Sequence, residues 1–151
     1  MIKENRKVLL SMMSGFLLLF TQCKSPNYFE KTVNIDNHWE KQTPASFSFT
    51  LDDNKPRKIY VSLRNNDSYE FSNIYFFVHQ TYPNGKKEID TLQYYLAKPS
   101  GEWIGTGMTE IKQNLLEIKD IKSKGKHKID IYQAMRKKSL KGIEDITLII
   151  N

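Results

Sequence analysis

The chain has one cysteine, Cys23, so no intrachain disulfide can form, and neither Cys nor His stands close enough in sequence to share a metal with it. There is also no apolar run of the roughly 20 residues that a membrane-spanning helix needs. The longest, Val8 to Phe20, covers 13 residues and is lightened by Ser11, Ser14 and Gly15. Motifs for common enzymes are missing as well: there is no Gly-x-Ser-x-Gly, no phosphate loop and no His-Glu-x-x-His. The three histidines, His38, His79 and His127, lie too far apart to make a metal site by spacing. The adjacent carboxylates Asp52-Asp53 and Glu144-Asp145 fall in turn-like settings, where solvation keeps both ionised and separates no acid from base. These absences argue against an enzyme and against a metal or other dissociable cofactor.

What stands before Cys23 explains its isolation. Lys3, Arg6 and Lys7 form a basic start, followed by the 13-residue apolar segment. Both features fit a signal peptide. Phe20-Thr21-Gln22-Cys23, with Leu19 one step earlier, resembles a bacterial lipobox, although Gln22 stands where a small residue is usual. The reading is a signal peptide over 1–22, with diacylglycerol and acyl chains attached at Cys23 after cleavage. Several chains hold a protein on a membrane stably where one does not. Lys24 follows the cysteine, and no acidic cluster occupies 24–28, so neither an inner-membrane retention signal nor a surface-export signal is present. This predicts the outer membrane, facing the periplasm.

The remaining 129 residues suffice for one domain. They carry 20 Lys and Arg against 16 Asp and Glu, a net charge of +4. The basic residues are spread out except in "KDIKSKGKHK", residues 119–128. In an exported chain this zone reads as a solvated loop and strand edge, with an anionic membrane or an acidic partner as alternatives; nucleic acid is not expected.

Polar residues 23–32 read as a tether, and 33–151 as the folded domain. A period of two then dominates: Phe47, Phe49 and Leu51 alternate with Ser48 and Thr50, and Ile59, Val61 and Leu63 with Tyr60, Ser62 and Arg64. Residues 74–82 and 86–96 form a hairpin across Pro83-Asn84-Gly85, because Asn-Gly tolerates the positive φ of a tight turn. Tyr75, Phe76, Phe77 and Val78 are apolar on both faces, so that strand should be central. Further strands are expected at 115–121, 127–133 and 143–150. Met108, Ile111, Leu115 and Ile118 also fit helical spacing, and 134–140 could form one helical turn. The fold class is all-β, an antiparallel, jelly-roll-like β-sandwich of about eight strands.

Two segments invite a functional reading. "KPSGEWIGTG" places Trp103 among Gly101, Gly105 and Gly107, as a partner anchor, a sugar-stacking platform or a plug at one end of the sandwich. "QAMRKKSLKGIEDI" carries Arg136, which could pair with Glu144 or Asp145 or bind a ligand.

Trp39, "YEFSNIYFFVHQTYPNG", "GEWIGTG" and "QAMRKKSLKGIEDI", in that order behind Cys23, resemble the gliding motility lipoprotein GldH family of the Bacteroidota. Tyr69, Ser72 and Asn73 look like its central motif, and Gly101, Trp103, Gly105 and Gly107 like its glycine-rich loop. Gln133, Met135, Arg136, Leu140, Gly142, Ile143 and Asp145 look like its C-terminal signature. One departure is Ile121-Lys122, where an aromatic residue and a proline are expected. The resemblance implies a non-enzymatic lipoprotein needed for gliding and linked to type IX secretion. Other Gld lipoproteins and periplasmic secretion components are its implied partners, and no catalytic residue or small-molecule substrate comes with it. The rival is a glycan-binding module, with exposed Trp39, Trp103 and Tyr94-Tyr95 stacking on sugars beside Arg64, Asn65, Asn66 and Asp67. It requires both tryptophans on one exposed face.

Overall fold

The computed structural model describes residues 27–151; the signal-peptide and Cys23 readings lie outside the described residues. Ten strands follow: β1 (Phe29–Asn34), β2 (His38–Glu40), β3 (Ala45–Leu51), β4 (Arg57–Asn65), β5 (Asn73–Thr81), β6 (Lys87–Tyr95), β7 (Lys112–Ile121), β8 (Gly125–Gln133), β9 (Ser139–Lys141) and β10 (Ile143–Ile150). They build one sheet in the order β1-β10-β4-β7, a second in the order β3-β8-β5-β6, and a short β2-β9 ribbon. Every pairing is antiparallel.

The two large sheets face each other because each strand turns its apolar alternate inward. Ala45, Phe47, Phe49 and Leu51 are buried on β3, with Ile59, Val61 and Leu63 opposite on β4. As expected from its doubly apolar pattern, β5 is central, between β8 and β6. Phe76 and Val78 point into the core while Phe77 stays partly exposed. The β5–β6 hairpin turns at Asn84-Gly85, with Gly85 at φ +81°.

Two expectations change, those for the tether and for 134–140, and two open points are settled. The ordered sheet begins at Phe29, inside the stretch read as tether, because β1 pairs along its whole length with β10. Its "FEKTVN" is mostly polar, since an edge strand buries little. The strand expected at 115–121 is present and begins earlier, at Lys112, which closes the helical alternative around Leu115, and Leu115 is exposed on it. Residues 135–138 make bends, and 139–141 become β9 instead of completing a helical turn. His127 is fully buried, stacked on Phe49 at 5.3 Å, and its Nε2–H donates to the Ser123 carbonyl at 2.6 Å.

The edges are joined across the sandwich. On one side Phe29 packs on Phe49 at 5.4 Å. On the other, Lys119 of β7 reaches Glu88 and Asp90 of β6 at 3.3 and 2.6 Å. Hydrogen bonds from Lys86, Tyr82 and Lys119 hold the Glu88 carboxyl down to about 2, from an ordinary value of 4.5. A depressed carboxylate contributes stability that is present above its unfolded value and is lost as pH falls toward the folded one. Glu88→Gln should therefore lower stability at neutral pH and flatten its decline between pH 5 and pH 2, as read by denaturant midpoints. Parallel pH profiles for variant and parent would count against this network.

Candidate functional site

The four sequence motifs, more than 100 positions apart at their extremes, converge on one end of the sandwich. There the β1–β2 turn, the β4–β5 loop, the 96–111 connection and the β9–β10 junction meet. Gly142 sits at the centre with φ +79°. Its amide donates to Asn37 Oδ1 at 2.7 Å, and its carbonyl accepts from the Asn66 amide at 2.9 Å. A β-carbon here would lie 2.2 Å from the Tyr69 nitrogen, so glycine alone lets the two backbones touch.

Tyr69 is buried, and its hydroxyl donates to the Asn73 carbonyl at 2.9 Å. Burial pushes the phenol well above its ordinary pKa. Ser72 anchors the exit of β6, its carbonyl accepting from the amides of Leu96 and Ala97 at 2.7 and 3.0 Å. Asn66 folds its own loop by accepting from the Ser68 amide at 2.8 Å.

Trp103 is half-buried. Its ring lies 6.5 Å from that of Tyr69, and its indole N–H donates to Asp67 Oδ1 at 2.9 Å. The tryptophan thus braces the β4–β5 loop, and the expectation of a plug at the end of the sandwich describes it better than that of a free platform. Gly105 lets the chain press on β7: a β-carbon would stand 2.8 Å from Asn114 Oδ1 and 2.9 Å from the Gln113 carbonyl. Asn114 in turn donates to buried Asn65 at 2.9 Å. Gly101 and Gly107 shape the turns on either side of this contact, at φ +87° and +154°.

The C-terminal signature divides its work. Gln133 accepts from the Met135 amide at 2.9 Å and donates to the Lys137 carbonyl at 3.0 Å, closing the bend before β9. Asp145 is paired with Arg64, whose Nε donates to it at 2.7 Å, and not with Arg136. The two partners face each other in register on β10 and β4. Asp145 is 2% exposed, so the Glu144-Asp145 pair is not a solvated turn. Removing Arg64 would leave this buried carboxylate without its cation, although the exposed side of the guanidinium lets solvent screen part of the pair. Glu144 instead accepts from Asn66.

Arg136 is exposed and makes no hydrogen bond or ion pair among the described residues. It edges a shallow cavity of about 450 Å³ with Phe71, Tyr75, Ala134 and Met135. Trp39 is 1% exposed, packed on Phe76 at 5.9 Å, with its indole N–H given to the Thr43 carbonyl at 2.8 Å. The two tryptophans share no exposed face, so the arrangement required for sugar stacking is not built.

Of the exposed apolar side chains at this end, the sequence marks Tyr95 only as a sugar-stacking residue and gives Ile104, inside the glycine-rich motif, no role. Tyr95 and Ile104 are 67% and 52% exposed and line two adjacent shallow cavities of about 480 and 550 Å³. Leu115 joins them in the second. A sequence signal existed for Ile104: alternation past half-buried Trp103 turns it outward.

The domain is a β-sandwich with its loops knitted at one end and apolar side chains left outside the knot. The chain belongs to the GldH lipoprotein family, whose profile matches residues 27–150. It is 35% identical over 146 residues to the "Gliding motility lipoprotein GldH" of Flavobacterium johnsoniae, covering 88% of this chain and 92% of that one. It is 32% identical over 141 residues to a "Gliding motility lipoprotein GldH homolog" of Christiangramia forsetii, covering 86% of each. Among solved structures it is similar to "Xyl-CBM35 in complex with glucuronic acid containing disaccharide", at 11% identity, TM-score 0.41, and 85% and 84% coverage of the two chains. That likeness is too loose to bear on function.

Proposed function

We propose that this chain is a non-enzymatic outer-membrane lipoprotein on the periplasmic face, held by the lipid on Cys23. It acts by contact with other Gld lipoproteins and with periplasmic components of the gliding and type IX secretion machinery. Membership in a family of gliding motility lipoproteins supports the setting. One observation carries the mode of action. Trp103 bonds to Asp67, Asn114 to Asn65 and Asp145 to Arg64 across the loops and strands of this end, while Tyr69 and Gln133 tie down their own loops, and Tyr95 and Ile104 stay outward beside them. Groups so engaged hold a shape, and the outward apolar pair fits a hot spot in a protein interface. Arg136, beside the neighbouring cavity, adds a charged contact at the rim. Lipid tethering confines the domain to a thin layer, which raises its effective concentration for membrane-bound partners. No dissociable cofactor and no small-molecule substrate enter this reading.

Ile104→Asp tests it. The side chain is outward, so the variant should keep the parent's melting temperature within a few degrees. It should nevertheless lower the steady-state level of a partner lipoprotein, and with it secretion or gliding, as deletion of the gene should. Unchanged partner levels and secretion in both the variant and the deletion strain would overturn the proposal.

A further inference from the structure

The end of the sandwich opposite the motif cluster is where the chain enters the domain. Phe29, the first residue of β1, pairs with Ile150, and Ile150 with Ile59. Just ahead of it Tyr28 is tied down: its ring lies under the Arg57 guanidinium at 4.0 Å and its hydroxyl accepts from the Asp52 amide at 2.9 Å. The same end carries the 52–56 loop, the 82–86 turn and the 122–124 loop. These interlock, since Asn54 accepts from the Lys124 amide at 2.7 Å and Gly125 packs on Pro83. Only four residue steps separate Cys23 from Asn27. Fully extended they reach at most about 14 Å.

This end is basic once its ion pairs are set aside. Asp53 is taken by Arg57, Glu117 by Lys58, and Glu88 by Lys86 and Lys119. Lys87, Lys122, Lys124 and Lys126 are exposed and form no ion pair among the described residues. Against them stand the exposed carboxylates of Glu30, Asp52 and Asp120. Lys122 and Lys124, with Lys86, also line a groove of about 470 Å³.

We infer that the lysine-bearing loops at this end dock on anionic phospholipid headgroups, standing the domain upright with the motif cluster away from the membrane. The inference rests on the acylated Cys23 of the reading above. A lysine cluster held about one to two screening lengths from an anionic surface is attracted to it, and salt weakens that attraction. Neutral lipid would leave the domain free to tumble on its short tether. Upright, the nine residues of β4, at roughly 3.3 Å each, lift Ile104 and Tyr95 about 30 Å farther out. A single lipid layer of orientation then fixes which end partners can reach.

The test uses the acylated full-length protein, reconstituted into vesicles whose headgroups carry a fluorescence quencher. A thiol probe is placed at Lys55→Cys or, at the far end, at Glu102→Cys; acylation blocks the sulfur of Cys23. In vesicles containing anionic lipid the probe at 55 should be quenched at least twofold more than the probe at 102. Replacing Lys122, Lys124 and Lys126 together by Gln, or using only zwitterionic lipid, should remove at least half of that difference. Equal quenching at the two positions, or a difference that ignores both changes, overturns the inference, including the case in which the lysines serve an acidic protein instead. Mass analysis of the N-terminal peptide separates the two failures. Without acyl groups on Cys23 the anchor reading falls and takes this one with it; with them, the docking alone is wrong.

Discussion

A chain ending at Gly142 is expected to show no cooperative thermal transition. The missing strand, β10, lies inside its sheet between β1 and β4, so its loss unpairs both neighbours at once. It also removes Ile143, Ile146, Leu148 and Ile150, each fully buried. At about 1.5–3 kcal/mol per large aliphatic side chain, that burial alone contributes on the order of 6–12 kcal/mol. A domain of this size is typically stable by only about 5–15 kcal/mol. Losing Asp145 leaves Arg64 without its carboxylate, a further cost. Calorimetry or circular dichroism on the truncated domain checks this. A sharp melting transition would mean that β10 is dispensable and that the core lies elsewhere.

The second large effect comes from a single methyl group. Gly142→Ala should destabilise the domain by about 2–5 kcal/mol, combining about 1–2 for a left-handed alanine with about 1–3 for overpacking. Both causes are present: φ is +79°, and the new carbon would meet the Tyr69 nitrogen at 2.2 Å and its Cα at 2.6 Å. Because the obstacle is backbone, no side chain can rotate away to relieve it. Gly85→Ala supplies the contrast, since φ there is +81° with nothing within 4 Å. It carries the conformational cost without the collision. Urea denaturation of the two variants should therefore separate them by about 1–3 kcal/mol. Equal losses would show that the junction yields and that Gly142 is needed for its φ alone.

Much of the architecture was legible in single stretches. Alternation in Phe47-Phe49-Leu51 and Ile59-Val61-Leu63 states which side chains go inward, because neighbouring residues on a strand point to opposite faces wherever the strand lies. Asn84-Gly85 announces its turn because glycine takes positive φ without steric cost, as Gly85 does at +81°. The doubly apolar β5 is paired on both sides in its sheet, yet its outer face stays partly open at Phe77, so the pattern marks the strand's place without covering that face. Three-residue strands such as β2 and β9 carry too little pattern to be read this way, and β1, an edge strand, passes for a tether.

The candidate site was legible as a set of residues and not as an arrangement. Glycines and a tryptophan at 101–107 announce a constrained loop, but whether Trp103 faces solvent depends on Tyr69 and Asp67, some 35 positions away. Arg136 and Arg64 are equally plausible partners for Asp145 along the chain. The β4–β10 register places Arg64 directly across from it, and that register is set by the packing of two whole strands. In the same way, the lysines of 119–128 stand at the end where the chain enters the domain only because Phe29, Ile150 and Ile59 share one row of the sheet. Face and turn are local because they follow from bonded geometry within a few residues. Exposure, ion pairing and the grouping of motifs are contacts between distant segments, and no stretch of the chain contains both partners.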